Sequence, residues 1–502
     1  MSSILVCALL ALLPQGSGND VLLLRDGRML DQLKAEVVEG GYELTFVNGK
    51  VFVQQELVTE ALLQGVEFVP RTEEEKAQFA AGKVPFEGKW VSAAKREREL
   101  QKRLAEKRAT LEDYRAHEIW RNRYQEATKY FEFEHTTPPH VFERYRDLME
   151  AYFKSFMKDW KVKQPKELGR LKVCFYADKD LFMQVSGAGP NTLGYFRFVE
   201  PLELNFYYDR LSPADTEEVM FHEANHYLQK LIKTDFSYPH FPGESVAEYY
   251  GASHYDQETG KIETGRVLNG RLTEVLNDIA AGEWMPLEKL ITTERMYQHY
   301  TWGWALAHFL MNHPKHKGDF RKFVLGLAFD GDVKRERTGF GFETVTQQEV
   351  FNTFRRYLKL KTDEDVKKLE KEWHDYIKDD LKLEGTSGLE KAAFSAVRYG
   401  RPIRAKRLFQ EAIDSGNASA MARHAYADLL SDDREYQAAV EQWQAATEID
   451  PLIGRFYACR GDALIRLDKS ENLEEGRRLI RLAMELDPDD RVVQFYAGVH
   501  LD

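Results

Sequence analysis

In DVLLLRDGRML (20–30) and YELTFVNGKVFV (42–53), apolar and polar residues alternate around two turn signals. A period of two is expected of strands with one buried face. Asn48-Gly49 marks a hairpin, because both central residues of a type I′ turn need positive φ. Residues 19–66 are therefore expected to form a small, strongly bent β-barrel or meander. The pattern then changes. Ala93–Ala127 is dense in helix formers with both signs of charge, which predicts a linker and a long charged helix, a solvated or coiled-coil arm, over 67–127. Further on, KYFEFEH (129–135), RLKVCFYA (170–177) and LELNFYYD (202–209) read as strands, and Pro138–Trp160 as an amphipathic helix. VSGAGPNTLGYF (185–196) reads as a glycine-rich loop beside a cleft, since it lacks the Lys-Ser/Thr ending of a phosphate loop. EKEWHDYIKDD (370–380) reads as the end of this domain, with Trp373 as a packing anchor.

The C-terminal part repeats. FQEAIDSG at 409, WQAATEIDP at 443 and IRLAMELDP at 480 recur at steps of about 34 and then about 37 residues, with DKSENLEEG holding the insertion. Ala412, Ala446 and Ala483 fall at matching places, and two of the units close on Asp-Pro. This resembles tetratricopeptide helix pairs. Residues 386–502 are expected to form five or six helices, an antiparallel α-α array docked on the domain before it. The predicted fold class is α+β and multidomain.

Composition narrows the function classes. The net charge of −12, with both signs abundant, argues against a nucleic acid as main partner. The three cysteines, Cys7, Cys174 and Cys459, are too scattered for a disulfide framework or a thiolate zinc cluster. An apolar run from Ile4 to Leu13, followed by Pro14 and small residues, has signal-peptide architecture over 1–18. It predicts export to a periplasmic or extracellular space. No later segment approaches the ~20 apolar residues of a spanning helix.

The chemistry concentrates in FHEANHYLQKLIKTDFSYPHFPGESVAEYY (221–250). His222 and His226 stand i, i+4 on a predicted helix over Thr216–Lys230, so both imidazoles can face one ion. Glu223 follows the first by one position, which suits a carboxylate taking a proton from a metal-activated water. With 14 histidines in 502 residues, a chance His-Glu-x-x-His is expected in on the order of 0.03 of such chains. A new helix begins after Pro242-Gly243, and it carries Glu244 and Glu248 one turn apart. His240 and His254 flank it and read as loop or surface histidines.

Glu244-Ser245-Val246-Ala247-Glu248-Tyr249 resembles the second motif, Glu-Gly-x-Ala-x-Tyr, of the gluzincin metallopeptidases. The likeness is closer to the peptidase-MA-like domains of the thermolysin-related clan, found in exported bacterial proteins that often carry small β-domains or tetratricopeptide repeats. It covers roughly 128–380 and implies a zincin-like mixed sheet with helices over 128–385. It implies Glu244 as third ligand of a Zn²⁺ ion and Glu248 as a carboxylate orienting a histidine N–H; a solvated helix face is the plain alternative for Glu248. MYQHYTWGWALAHFL (296–310) is similar to that branch's Tyr-x-x-x-Trp-x-Leu-x-x-x-Leu helix. By that analogy Tyr300 donates to the oxyanion formed at the scissile carbonyl, with core packing as the alternative and His299 and His308 as rival donors. Two departures from the pattern bear on substrate access: Ser245 stands where glycine is usual, and Phe-Pro-Gly replaces a Trp-containing approach.

The sequence thus predicts a zinc metallopeptidase, with His222, His226 and Glu244 as ligands and Glu223 as general base. Its substrate is expected to be a peptide or protein, with a further protein partner on the repeats. The rival expectation is a non-catalytic exported adaptor that uses a peptidase-like scaffold and the repeats to bind proteins.

Overall fold

The computed structural model describes residues 20–501 apart from 66, 67, 87, 468 and 469. The leader expected at 1–18 lies outside the described residues. Two compact units divide the chain. One joins the residues up to Arg115 with those from Pro402 on, and the other is Ala116–Arg401.

In the first unit, five antiparallel strands pair in the order Gly49–Gln54, Gly41–Phe46, Met29–Val38, Asp20–Leu24, Val58–Leu62. The two outer strands do not pair with each other, yet Gln55–Leu57 alone joins them, so the sheet bends into a half-barrel and does not close. The reason lies in what covers its apolar face. Leu22, Leu44, Val51 and Val53 share one core with Trp443, Leu464, Leu479 and Leu482 of the C-terminal helices. A sheet covered by helices has no need to close on itself. Among the described residues six helices follow from Pro402 on, Pro402–Asp414, Ala420–Asp432, Tyr436–Ile449, Gly454–Arg466, Ser470–Leu486 and Arg491–His500, and the last five contribute to this core. Ala412, Ala446 and Ala483 are all fully buried among them.

The hairpin is present one residue earlier than expected. Phe46 pairs with Gly49, so Val47 and Asn48 make the turn. Glu485, itself buried, accepts the backbone N–H of Val47 at 2.8 Å and of Asn48 at 2.9 Å, and the Asn48 amide at 2.6 Å. Arg478 donates to the Asn48 carbonyl at 2.8 Å. Gly49 does not take positive φ, and a Cβ there would meet the flexible end of the Arg478 side chain.

The charged helix runs Ala93–His117 after a short helix, Glu73–Ala80, and a hairpin of Lys83–Phe86 with Lys89–Ser92. It is no free arm. Leu100 and Leu104 bury against Val21 and Leu62, and Arg103 and Lys107 both reach Glu60.

The second unit holds a five-stranded mixed sheet in the order Gly194–Arg197, Glu203–Tyr207, Leu171–Tyr176, Phe131–His135, Tyr124–Ala127. The three middle strands are parallel and both edge strands antiparallel. Gly194–Arg197 falls inside the stretch expected to be loop; four residues beside several turn formers are too few to show a period of two. Pro139–Trp160 lies under the sheet with Phe142, Tyr145, Phe153 and Phe156 buried, as its amphipathic pattern requires. This unit also runs past the expected end near 380–385. The helix Gly385–Arg398 packs on the helix Asn269–Ala280, and its Lys391 bonds Asp215 and Glu218. The helices from Pro402 on share their core with the N-terminal sheet. Among the described residues no helix is long and apolar enough to cross a membrane.

If Glu485 holds the hairpin turn, Glu485→Ala should cost about 1–3 kcal/mol, the range for buried hydrogen bonds to a charged acceptor. Hydrogen exchange should then speed up together in residues 41–54 and 470–486. Unchanged protection of the hairpin would show that the turn stands without it.

Candidate metal centre

The helix Pro213–Lys230 carries the His-Glu-x-x-His motif, with Pro213 in its first turn. Met220, Phe221, Ala224, Tyr227 and Leu228 are buried against the core, on the stripe that a period of 3.6 residues produces. His222, Glu223 and His226 fall on the opposite side and stay partly exposed. The register of this helix is fixed by polar contacts in its core face. Asn225 donates to the Tyr152 hydroxyl at 2.7 Å, and Gln229 donates at 2.9 Å to Asn225 and to the Gly243 carbonyl. Gly243 directly precedes Glu244, so Gln229 aligns the two helices that carry the site.

The second helix spans His240–Gly251 with one non-helical residue, Phe241, so regular turns begin at Pro242. Its Glu244 and Glu248 bracket the His222 ring. Glu244 Oε2 lies 3.4 Å from His222 Nε2 and 3.3 Å from His226 Nε2, and the two Nε2 atoms are 3.3 Å apart. Glu248 Oε1 stands 3.4 Å from His222 Nδ1. With Nδ1–H turned to Glu248, the Nε2 lone pair is free to face the other two donors. Glu244 Oε2 is buried and accepts no hydrogen bond.

These three atoms fit a zinc ion. Ligands ~2.0–2.1 Å from a tetrahedral centre are separated by edges of ~3.3–3.4 Å, which are the separations found here. Two imidazoles and one carboxylate also form the borderline-soft donor set that zinc takes.

The charges around the triangle reinforce one another. Burial opposes a charge on His222, yet Glu244, Glu248 and Glu223 outweigh it and hold its pKa up to about 9. Burial likewise opposes ionisation of Glu244, but the His226 and His222 imidazoles keep its carboxyl well below the usual range. For Glu223 burial wins, with Glu244 adding to it against both histidines, and its pKa is raised. One Glu223 oxygen accepts the backbone N–H of Phe196, on the edge strand, at 3.0 Å.

Tyr300 lies on the helix Met296–Asn312, whose Thr301–Met311 segment is buried throughout. Tyr300 itself is partly exposed, its ring 5.8 Å from that of His222. Burial raises its pKa, as do Glu244, Glu223 and Glu248. The other histidines lie apart from the triangle. His299 Nε2 bonds the Leu290 carbonyl at 2.9 Å, and His308 contacts the Gly265 carbonyl and the Tyr376 hydroxyl; burial lowers each to about 4. His254 sits on an exposed hairpin, and His240 stacks on His299.

Arg271 escaped the sequence reading. From the helix Asn269–Ala280 its Nε and Nη2 donate to the two Glu248 oxygens at 2.9 and 2.7 Å. An isolated arginine 23 residues beyond its partner carries no motif signal. The contribution of the Phe196 N–H was equally hidden, since a backbone donor leaves no residue type to recognise.

A second cluster, His424, Asp428 and Cys459, does not suit a metal. The Trp443 indole donates to His424 Nδ1 at 2.9 Å, and an indole N–H can only donate. The proton of neutral His424 is then on Nε2, the atom that would have to bind the ion.

No family model and no curated protein matches the chain. Solved structures similar to it include the second TPR domain of the human RPAP3 protein in complex with an HSP70 peptide, at 18% identity and a TM-score of 0.21, covering 23% of this chain and 92% of that one. The Arabidopsis OM64 TPR domain is 20% identical with a TM-score of 0.22, over 23% and 94%. YrrB, a TPR protein with an unusual peptide-binding site, is 15% identical with a TM-score of 0.23, over 39% and 89%.

Ser245, the departure from the usual glycine, has a counterpart across the helix contact. A Cβ at Gly303 would lie 2.2 Å from Ser245 Oγ, so the small residue stands on the facing helix instead. Gly303→Ala should destabilise the protein by about 1–3 kcal/mol through overpacking. Ser245→Gly in the same chain should restore most of it. Chemical denaturation of the two variants checks this; no recovery in the double variant would mean that the contact is not the cause.

Proposed function

We propose that the second unit is a gluzincin-type zinc metallopeptidase. The observation that carries this reading is the triangle of His222 Nε2, His226 Nε2 and Glu244 Oε2, with Glu223 beside it. Bound there, zinc supplies Lewis acidity that polarises a carbonyl and lowers the pKa of a water toward ~7.

The chain's own groups divide the remaining work. Glu223 takes the proton of the attacking water and passes it to the leaving amine. The Phe196 N–H fixes the direction of its carboxyl group. Glu248 orients His222 through Nδ1. Tyr300 donates its hydroxyl to the carbonyl oxygen as charge develops there.

A peptide suits the cleft because Gly194–Arg197 is an edge strand with no neighbouring strand on its outer side, where the Phe196 N–H meets Glu223. The strand can accept an extended chain by β-augmentation, beside Glu223. The apolar run Ile4–Leu13 would direct this activity outside the cytoplasm. The C-terminal helices would offer a surface for a protein partner.

Two variants separate chemistry from metal binding. Glu223→Gln should keep about one zinc per chain, while peptide hydrolysis falls by a factor on the order of 10²–10⁴. His222→Ala should lose both metal and activity, because two remaining ligands hold zinc weakly. Metal analysis and a mixed peptide library provide the readouts. A Glu223→Gln protein that cleaves at the parent rate would overturn the assignment of the base. A fully zinc-loaded parent that cleaves nothing would leave the adaptor as the better reading.

Tyr300→Phe removes only the hydroxyl. It should lower kcat by about 10²–10³-fold, the usual effect of losing one oxyanion donor, with zinc content unchanged. A rise in KM alone, with kcat unchanged, would place Tyr300 in substrate binding instead.

A further inference from the structure

Behind Glu248 lies a second layer of charge that the proposed chemistry does not use. Arg271 faces two buried carboxylates at once. It holds Glu248 through Nε and Nη2, while its Nη1 lies 3.6 Å from Glu274 Oε2, one turn along the same helix. Its guanidinium carbon also sits 5.3 Å from the centre of the Tyr300 ring. Glu274 is fixed in turn by two phenols. Tyr297 donates to Oε2 and Tyr399 to Oε1, each at 3.2 Å, and the two hydroxyls also contact each other. Tyr297 is one turn before Tyr300 on the same helix, and Tyr399 follows the helix Gly385–Arg398.

A guanidinium is planar and presents its donors in a rigid fork, so fixing one side of the plane fixes what the other side can reach. Glu248 engages one side of the Arg271 fork, and Glu274 lies toward the remaining nitrogen. We infer that Glu274, backed by Tyr297 and Tyr399, is a positioning residue for the metal site. It sets the plane of Arg271, and through Arg271 the orientation of Glu248, of the His222 imidazole and of Tyr300. This rests on the zinc reading of the His222, His226 and Glu244 triangle.

The test is metal affinity in Glu274→Gln, which keeps the side chain's size but removes the charge facing Arg271. In chelator-buffered titrations the zinc Kd should rise about 3–10-fold, less than the 10–100-fold typical of losing a group that bonds a ligand directly. The visible bands of the cobalt-substituted protein should shift, since they report ligand orientation. In an Arg271→Met background the same Glu274→Gln change should have no further effect on the zinc Kd, because the path through the guanidinium is gone. An equal loss in both backgrounds would overturn the relay in favour of a merely structural role. So would an unchanged Kd and cobalt spectrum in Glu274→Gln. If Glu274→Gln fails to fold, the paired Tyr297→Phe and Tyr399→Phe change must shift the cobalt bands in the same direction, and unchanged bands would overturn the inference. A parent that binds neither zinc nor cobalt would remove the zinc reading together with this inference. A parent that binds both, with variants indistinguishable from it, would remove only the inference.

Discussion

The His222 imidazole sits between two carboxylates from one turn of a single helix, Glu244 on its Nε2 side and Glu248 on its Nδ1 side. Much of the second unit is arranged around keeping that bracket in register. Residues at i and i+4 share a face only while the helix is regular, and regular turns begin at Pro242, two residues before the first of the pair. The motif helix must then approach at a fixed height, which Gln229 sets by bonding the Gly243 carbonyl. The third helix must come close enough to place Tyr300 beside the ring, which requires Gly303 against Ser245. Charged groups this close would repel or be neutralised if the packing loosened. The apolar core beneath them is therefore part of the electrostatics.

The site was legible in the sequence where its order is local. His222, Glu223 and His226 lie within five residues, and helical periodicity alone places them on one face. Glu244 and Glu248 were legible by likeness to a known motif, and the structure brings both to His222. Arg271, Glu274 and the Phe196 N–H were not, because they reach the site from separate elements and no spacing encodes them. Ser245 looked like a departure from the pattern in one dimension. In three dimensions the space that a glycine would provide is supplied by Gly303.

The fold shows the same division. The strands of the first sheet, the helix Pro139–Trp160 and the repeat alanines followed from period and composition. Its failure to close did not, because closure depends on what covers the sheet, and the cover lies nearly four hundred residues away. The turn slipped by one residue for a related reason: Glu485 and Arg478 decide which two residues form it. The boundary at Pro402 was hidden because Gly385–Arg398 has the amphipathic composition of a repeat helix, yet packs with the second unit.

The first unit is built from both ends of the described chain around an uninterrupted 116–401 segment. Chains grow from the N-terminus at about 5–20 residues per second. The five-stranded sheet is therefore made early and must wait tens of seconds for the helices that cover Leu22, Leu44 and Val53. Through that interval its apolar face and its edges are the most aggregation-prone surface of the molecule. The second unit has all its residues sooner and can complete its own core while the sheet is still uncovered. The core of the part made first thus cannot be completed until the last helices have been made.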